Sequence, residues 1–382
     1  MRSFPDSISS LYDHHGPFVT AYLDASRTTE SGAHEVELRW QELRRSLAAG
    51  GAGEDNLRAM DEALAEPPEV GGPHGKVVVA VDGQVVLDEL MPQPPAQPQA
   101  SVAPLPDLMP MLAARLAGVP YVLVVADHTG ADLVTVPADL AAAGIRPGAT
   151  SVAGSSPYPI HKTGRDEWDE RHFQNRVDNS WATNARDVAD EVRRQVEEVD
   201  AELVVLAGDP RARGLLREDL PQVLDAASVE IVEAEAGARA DGASDEPLDT
   251  AVRDALLQHS WRRRREVLEH LQQNLGRERY AVAGVPGVVE AVRRAQVDTV
   301  VLSDDPSSNL TAWIGPEPLQ VGLSADDLKA MGVEQPEQVR FDSALLRAVV
   351  GSGADVLVTP NAHDYVQDGI AALLRYDDAV TT

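Results

Sequence analysis

Residues 154–181 read GSSPYPIHKTGRDEWDERHFQNRVDNSW. A Gly/Ser/Pro opening leads into a polar segment carrying Tyr158, His161, Lys162, Arg165, Trp168, Arg171, His172, Phe173 and Arg176. Between Gly154 and Arg176, four Lys/Arg balance four Asp/Glu, with two His in addition, although the whole chain carries a net charge of −29. A neutral-to-basic, aromatic-bearing loop on an acidic protein points to a contact surface, and RNA is one partner that such side chains suit. The sequence after the loop is regular. Val177, Trp181, Ala185, Val188, Val192, Val196 and Val199 recur at steps of three and four, which predicts one apolar stripe on a helix of about six turns. Leu203 to Ala207 (LVVLA) then reads as a buried strand, and Gly208-Asp209-Pro210 as a turn that opens the next helix.

Working outward, 382 residues suffice for two or three domains with their own cores. With 43% hydrophobic and 25% charged residues, the chain is a soluble globular type and not a disordered one. No run of eighteen apolar residues predicts a membrane span, and MRSFPDSISSLYDHHG has no apolar signal core, so a cytoplasmic location is expected. Cysteine is absent, which excludes disulfides and thiolate metal sites. Lys76, Lys162 and Lys329 are the only lysines among the 33 Lys/Arg residues. Arg in place of Lys is also what a GC-rich genome or a salt-tolerant host yields. Net charge of this sign repels RNA at long range, so any RNA contact has to be local.

Three α/β blocks are expected, each a mixed sheet packed with helices: 1–105, 106–245 and 246–382. In the first, Phe18 to Leu23 reads as a strand and Val36 to Leu47 as a helix, with Trp40, Leu43 and Leu47 on one side. Lys76 to Leu90 reads as a hairpin turning at Asp82-Gly83. MPQPPAQPQASVAPLP is read as a linker or extended strap outside the domain interior. The second block opens on a hairpin, Tyr121 to Ala126 and Ala131 to Val136, around His128-Thr129-Gly130. In the third, a long helix from Leu248 to Leu275 contains Trp261 and the run Arg262 to Arg265. Helices at Val288 to Ala295 and Ser343 to Val350 alternate with strands at Val297 to Leu302, Asp355 to Thr359 and Gly369 to Tyr376, an α/β sandwich.

Familiar catalytic and cofactor signatures are missing: there is no His-x-x-x-His, phosphate-binding loop or Gly-x-Ser-x-Gly. No cofactor and no metal are expected. His14-His15 lacks a third ligand nearby and is read as a solvated loop. Asp304-Asp305 and Asp24, each after a strand, read as turns before they read as Mg²⁺ ligands. Gly284-Val-Pro-Gly287 is too short for a dinucleotide loop and reads as a helix start. Arg262, Arg263, Arg264 and Arg265 occupy four successive helix positions and so cover every face. They are candidates for phosphate or interdomain contacts, with salt bridges to Glu266, Glu269 or nearby domains as the alternative.

The block order and three local stretches resemble the archaeo-eukaryotic class-I release factor and pelota superfamily. Within it they resemble bacterial family 2, the Balon-like ribosome hibernation factors. Glu170-Arg-His-Phe-Gln-Asn-Arg176 before the long helix is similar to the family's motif after its catalytic loop. Leu203-Val-Val-Leu-Ala-Gly-Asp-Pro210 is similar to the strand and turn behind that helix. Ala291 to Asp305 and Gly369 to Tyr376 resemble elements of the last domain, so the likeness spans about 110–376. It implies a three-domain, tRNA-shaped molecule in the ribosomal A site, with the first domain near the decoding centre and the middle domain near the peptidyl-transferase centre. The last domain resembles a ribosomal-protein fold and meets a translational GTPase of the elongation-factor type or the stalk base. Neither a membrane nor DNA is an expected partner.

The departure from the family is specific. Release factors carry Gly-Gly-Gln at the middle-domain tip, and counting back from Phe173 puts those positions on Asp166, Glu167 and Trp168, which cannot perform that chemistry. The expected function is therefore non-enzymatic occupation of the A site of idle or stressed ribosomes. Tyr158, His161, Lys162, Arg165, Trp168, Arg171, His172 and Arg176 are the candidate rRNA contacts. Phe173 is weighed between stacking and packing of the helix onto its sheet; Trp181 is read as packing. The alternatives are a peptidyl-tRNA hydrolase or rescue factor using Gln174, and a stress protein that uses the fold for protein contacts alone.

Overall fold

The computed structural model describes residues 6–26, 32–65, 74–91, 93–115, 118–142, 145–155, 167–224, 229–237, 246–303, 305, 308–359, 362 and 366–376, with 6, 7, 115, 139, 142 and 167–178 described in backbone only. The chain forms two compact units, one from Met1–Leu116 with Arg264–Thr382 and the other from Ala117–Arg263.

The N-terminal part of the first unit is an antiparallel sheet of β1 (Phe18–Asp24), β2 (Gly75–Val81), β3 (Gln84–Met91) and β4 (Gln99–Ala103), in the order β3-β2-β1-β4. Asp82 and Gly83, at φ 52° and 76°, make the two-residue turn whose backbone twist suits a hairpin. Two helices, Gly32–Ala49 and Glu54–Ala65, cover one face. Their Val36, Trp40, Leu43, Leu47, Leu57 and Met60 pack on Val19, Ala21, Leu23, Val78 and Ala80. The Trp40 indole N–H donates to Asp61 at 2.7 Å, so the buried ring keeps its polar edge satisfied. The Pro-rich stretch departs from the linker expectation. Its second half is β4, paired with β1, and Leu105 behind it is buried in the core. β4 sits at the sheet edge, where a segment flanked by prolines is tolerated.

The middle unit is a five-stranded sheet of β5 (Tyr121–Ala126), β6 (Gly130–Val136), β7 (Thr150–Ala153), β8 (Leu203–Gly208) and β9 (Glu230–Glu233), in the order β7-β6-β5-β8-β9. β5 pairs with β8 and β8 with β9 in parallel, while β6 pairs antiparallel with both β5 and β7. The crossovers are the helices Glu167–Val199 and Pro210–Val223. Ala185, Val188, Val192 and Val196, with Leu216 and Leu220, cover one face through Val122, Val124, Leu133, Val204 and Leu206. Leu248, Val252 and Ala255 of the helix Glu246–Gly276 cover the other through Leu123, Val125, Val136, Leu203 and Val205. Burial on both faces explains why YVLVVA and LVVLA are apolar at every position. Each such side chain contributes about 1.5–3 kcal/mol on burial.

The C-terminal part adds β10 (Ala281–Ala283), β11 (Val297–Ser303), β15 (Asp355–Thr359) and β16 (Ile370–Leu374) in the order β10-β16-β11-β15. A small sheet, β13-β12-β14, comes from β12 (Thr311–Ile314), β13 (Val321–Gly322) and β14 (Glu337–Arg340). The helices Val285–Arg293 and Phe341–Ser352 are the ones the apolar spacing predicts, and Gly284 is the N-cap of the first. The short strands of the small sheet carry too few residues to show a period.

The grouping into units differs from the blocks 1–105, 106–245 and 246–382. Leu108, Met109, Met111 and Leu112 pack with Phe18, Tyr22, Val77 and Val79 in a core that also takes in Val288, Val292, Leu345 and Ile370. The first half of the helix Glu246–Gly276 belongs to the middle unit, because its apolar residues close that unit's sheet.

Candidate functional site

The segment expected to make contacts leaves the middle sheet at β7 and returns in the helix Glu167–Val199. Its root is tightly specified. Asp127 Oδ1 accepts from the backbone N–H groups of Thr129 and Gly130 at 2.7 and 3.1 Å, closing the β5–β6 turn. Gly130 lies at φ 154°, and a Cβ there would stand 2.0 Å from the Val152 carbonyl oxygen of β7. At the end of β7 the Gly154 N–H donates to the Thr129 carbonyl at 2.8 Å, and the Ser155 N–H donates to Asp187 Oδ2 at 2.8 Å. Asn184 Nδ2 donates to the His128 carbonyl at 3.0 Å, tying the same helix to the turn. Asp209, at the C-terminal end of β8, accepts from the N–H groups of Arg211 and Ala212 and so caps the helix Pro210–Val223.

Trp181 belongs to this root. Its ring lies 5.8 Å from the His128 ring, and the Arg211 guanidinium stands over it at 4.8 Å. Its indole N–H is buried with no acceptor among the described residues. Trp181 therefore packs the helix onto the turn, as its place in the apolar stripe predicts.

Of the candidate rRNA contacts, Tyr158, His161, Lys162 and Arg165 lie outside the described residues. Trp168, Arg171, His172 and Arg176 lie in the helix, which begins at Glu167, some ten residues before the expected start at Val177. Polar composition hid those first turns, since the apolar stripe begins only at Val177. At about 3.6 residues per turn, positions 168, 172 and 176 share one side of the helix, away from Val188 and Val192, while position 171 falls near the line of Ala185 and Val196. Position 173 falls toward the apolar side. Of the Gly-Gly-Gln counterparts, Asp166 lies outside the described residues, while Glu167 and Trp168 form the first helical turn.

The arginine run is engaged. Arg262 pairs with Glu230 and Arg263 with Glu202, carboxylates at the starts of β9 and β8 in the same unit, not in another domain. Arg265 pairs with Glu269 at 3.3 Å, and burial lowers the pKa of half-buried Arg264. His259, one turn earlier on the same face, sits between both carboxylates, with Nδ1 2.7 Å from Glu230 and Nε2 3.4 Å from Glu202. Burial alone would raise the Glu202 pKa, but the His259 hydrogen bond and the Arg263 charge bring it down to about 2. The Glu202 hydrogen bond leads in raising the His259 pKa, against desolvation and with help from Glu230. His259 at i with Arg262 and Arg263 at i+3 and i+4 was a visible basic face; its carboxylate partners, 29 and 57 residues away, were not. Trp261 beside this cluster is 67% exposed. No group of three or more His, Cys, Asp or Glu that could hold a metal occurs among the described residues, and no helix there is long and apolar enough to cross a membrane.

Residues 120–277 match the model of bacterial archaeo-eukaryotic release factor family 2. Through this stretch the chain is similar to that family. The family match covers the whole middle sheet, the root of the 156–166 segment and the His259 cluster. The chain is also similar, at 27% identity over 94% of each chain, to an uncharacterized protein of Mycobacterium tuberculosis strain H37Rv, and equally to one of strain CDC 1551 / Oshkosh. Among solved structures it is similar to Saccharomyces cerevisiae Dom34, described as a translation termination-like factor interacting with Hbs1, at 13% identity over 81% of each chain with a TM-score of 0.42. Archaeoglobus fulgidus Pelota is similar at 16% identity, over 79% of this chain and 80% of that one, with a TM-score of 0.32.

Proposed function

We propose that this release-factor-family chain is a ribosome-associated factor that occupies the A site of idle or stressed ribosomes without releasing peptide. The observation that carries the reading is the helix start at Glu167 within a family-2 middle unit. Where the resemblance implies a glycine-rich tip able to approach an ester, this chain has Glu167 and Trp168 in a regular helical turn. Trp168, Arg171, His172 and Arg176, all within the first three turns of that helix, support a holding role through phosphates and stacked bases. A translational GTPase of the elongation-factor type is the delivery partner that the family relationship suggests.

Ribosome pelleting from stationary-phase lysate at low salt tests the reading. The protein is expected in the pellet, and its replacement by Arg165→Ala, Arg171→Ala and Arg176→Ala together is expected to move it to the supernatant. Complete recovery of the unaltered protein in the supernatant overturns the proposal. Release of labelled peptide from stalled complexes, abolished by Gln174→Ala, overturns its non-enzymatic part.

A further inference from the structure

A cavity of about 560 Å³ lies in the first unit, between the Tyr12–Pro17 segment, the Val102–Leu105 end of β4 and the β12–β14 region. Its lining includes Tyr12, His14, His15, Glu337 and Arg347. Arg347 projects from the helix Phe341–Ser352 and is only 6% exposed. Its guanidinium donates from Nη1 to the Gly315 carbonyl at 2.9 Å and from Nη2 to the Pro316 carbonyl. Among the described residues no carboxylate lies within ion-pair distance of it. A buried cation held by two neutral carbonyls is unusual, since buried charges are ordinarily paired. The Tyr12 hydroxyl, on the same cavity, is buried and has no hydrogen-bond partner among the described residues. Burial raises its pKa, and the nearby Arg347 charge acts the other way, so the hydroxyl is a proton donor at neutral pH.

We propose that this cavity binds a small organic anion, bearing a phosphate or carboxylate, of up to mononucleotide size. Arg347 supplies the fixed positive charge and has three N–H donors beyond those its carbonyl bonds use, and a planar guanidinium fork fits either oxyanion. The Tyr12 hydroxyl supplies a further donor. The His14 and His15 rings add polar edges at the mouth, so the pair that reads as a solvated loop in sequence becomes part of a lined site. Pro17, Val102, Pro104, Leu105 and Ile314 give an apolar wall for the body of the ligand. Glu337, also on the lining, accepts from a ligand hydroxyl or amine. The volume lies within the range of small-molecule sites, about 300–1,000 Å³.

Titration of the full chain, followed by calorimetry and thermal melting, tests this with inorganic phosphate, citrate and AMP as anionic probes and adenosine as the uncharged control. At least one anion is expected to bind and raise the melting temperature, while adenosine does neither. Tyr12→Phe, which removes one hydroxyl and keeps the ring, is expected to weaken that anion about tenfold or more. Arg347→Met is expected to abolish binding; should that variant fail to fold, Tyr12→Phe carries the test. No binding by any of the three anions at about 10 mM overturns the proposal, since such a concentration stabilises visibly through any site of millimolar affinity. Binding left unchanged by Tyr12→Phe, or adenosine binding as well as AMP, overturns it too.

Discussion

Asn184 fills the space beside Gly154 in which a β-carbon would stand: a Cβ built there would lie 2.1 Å from Asn184 Cγ and 2.5 Å from Asn184 Cβ. Rotating the Asn184 side chain cannot clear the second contact, because its Cβ is fixed by the helix backbone. Gly154→Ala must therefore push β7 away from the helix Glu167–Val199 and weaken the root of the 156–166 segment. The expected cost is about 1–3 kcal/mol. Denaturant unfolding checks it, and Asn184→Ala, which gives up the bond to the His128 carbonyl but introduces no clash, is expected to cost less.

Asp209→Ala removes the cap of the helix Pro210–Val223, whose carboxylate accepts from Arg211 and Ala212 N–H groups at 2.8 and 3.2 Å. The expected loss is about 1 kcal/mol. Asp209→Asn keeps an acceptor oxygen and is expected to retain most of that stability in the same unfolding experiment, which separates capping from charge.

The Asp209 cap was legible in Gly208-Asp209-Pro210, as were the strands of the middle sheet in YVLVVA and LVVLA, because a buried parallel strand and a capped helix start are local patterns. The helix Glu167–Val199 was legible only from Val177 onward, where apolar residues recur. Its first turns, rich in Asp, Glu, Arg and His, carry no hydrophobic period. β4 was obscured by its flanking prolines, since edge position is decided by pairing with β1, about eighty residues away. The two units could not be read from linkers, because Leu108 and Met111 join the first unit's core through tertiary contacts alone. The Arg347 and Tyr12 pair was equally hidden, the two being brought to one cavity only by the packing of that core.

Arg262 and Arg263 are occupied by Glu230 and Glu202, and so are expected to serve the middle unit's stability and not phosphate binding. Arg262→Ala with Arg263→Ala should lower the melting temperature. It should leave the salt dependence of ribosome binding unchanged, because the slope of log affinity against log salt counts the phosphates neutralised. A slope reduced by about two would reassign both side chains to RNA contact.

His259 makes the stability of this unit depend on pH in a defined direction. Only the imidazolium donates from both nitrogens, to Glu230 Oε2 and Glu202 Oε2 at once; the neutral ring must turn a lone pair toward one carboxylate. Because its folded-state pKa is raised, the His259 contribution is complete below the ordinary histidine value of about 6.5 and is lost as pH rises through the folded-state value. Glu202 runs the other way. Its pKa falls from 4.5 to about 2, so its contribution is present above 4.5 and is lost as pH falls toward 2. The junction of the helix Glu246–Gly276 with β8 and β9 is therefore expected to be firmest in the mildly acidic window between the two titrations. Hydrogen exchange of the β9 amides across about pH 6 to 8, corrected for intrinsic exchange, should show protection decreasing with pH in the unaltered protein. His259→Gln should remove that dependence. Protection that rises with pH, or an equal slope in the variant, would show that the imidazolium does not hold this junction.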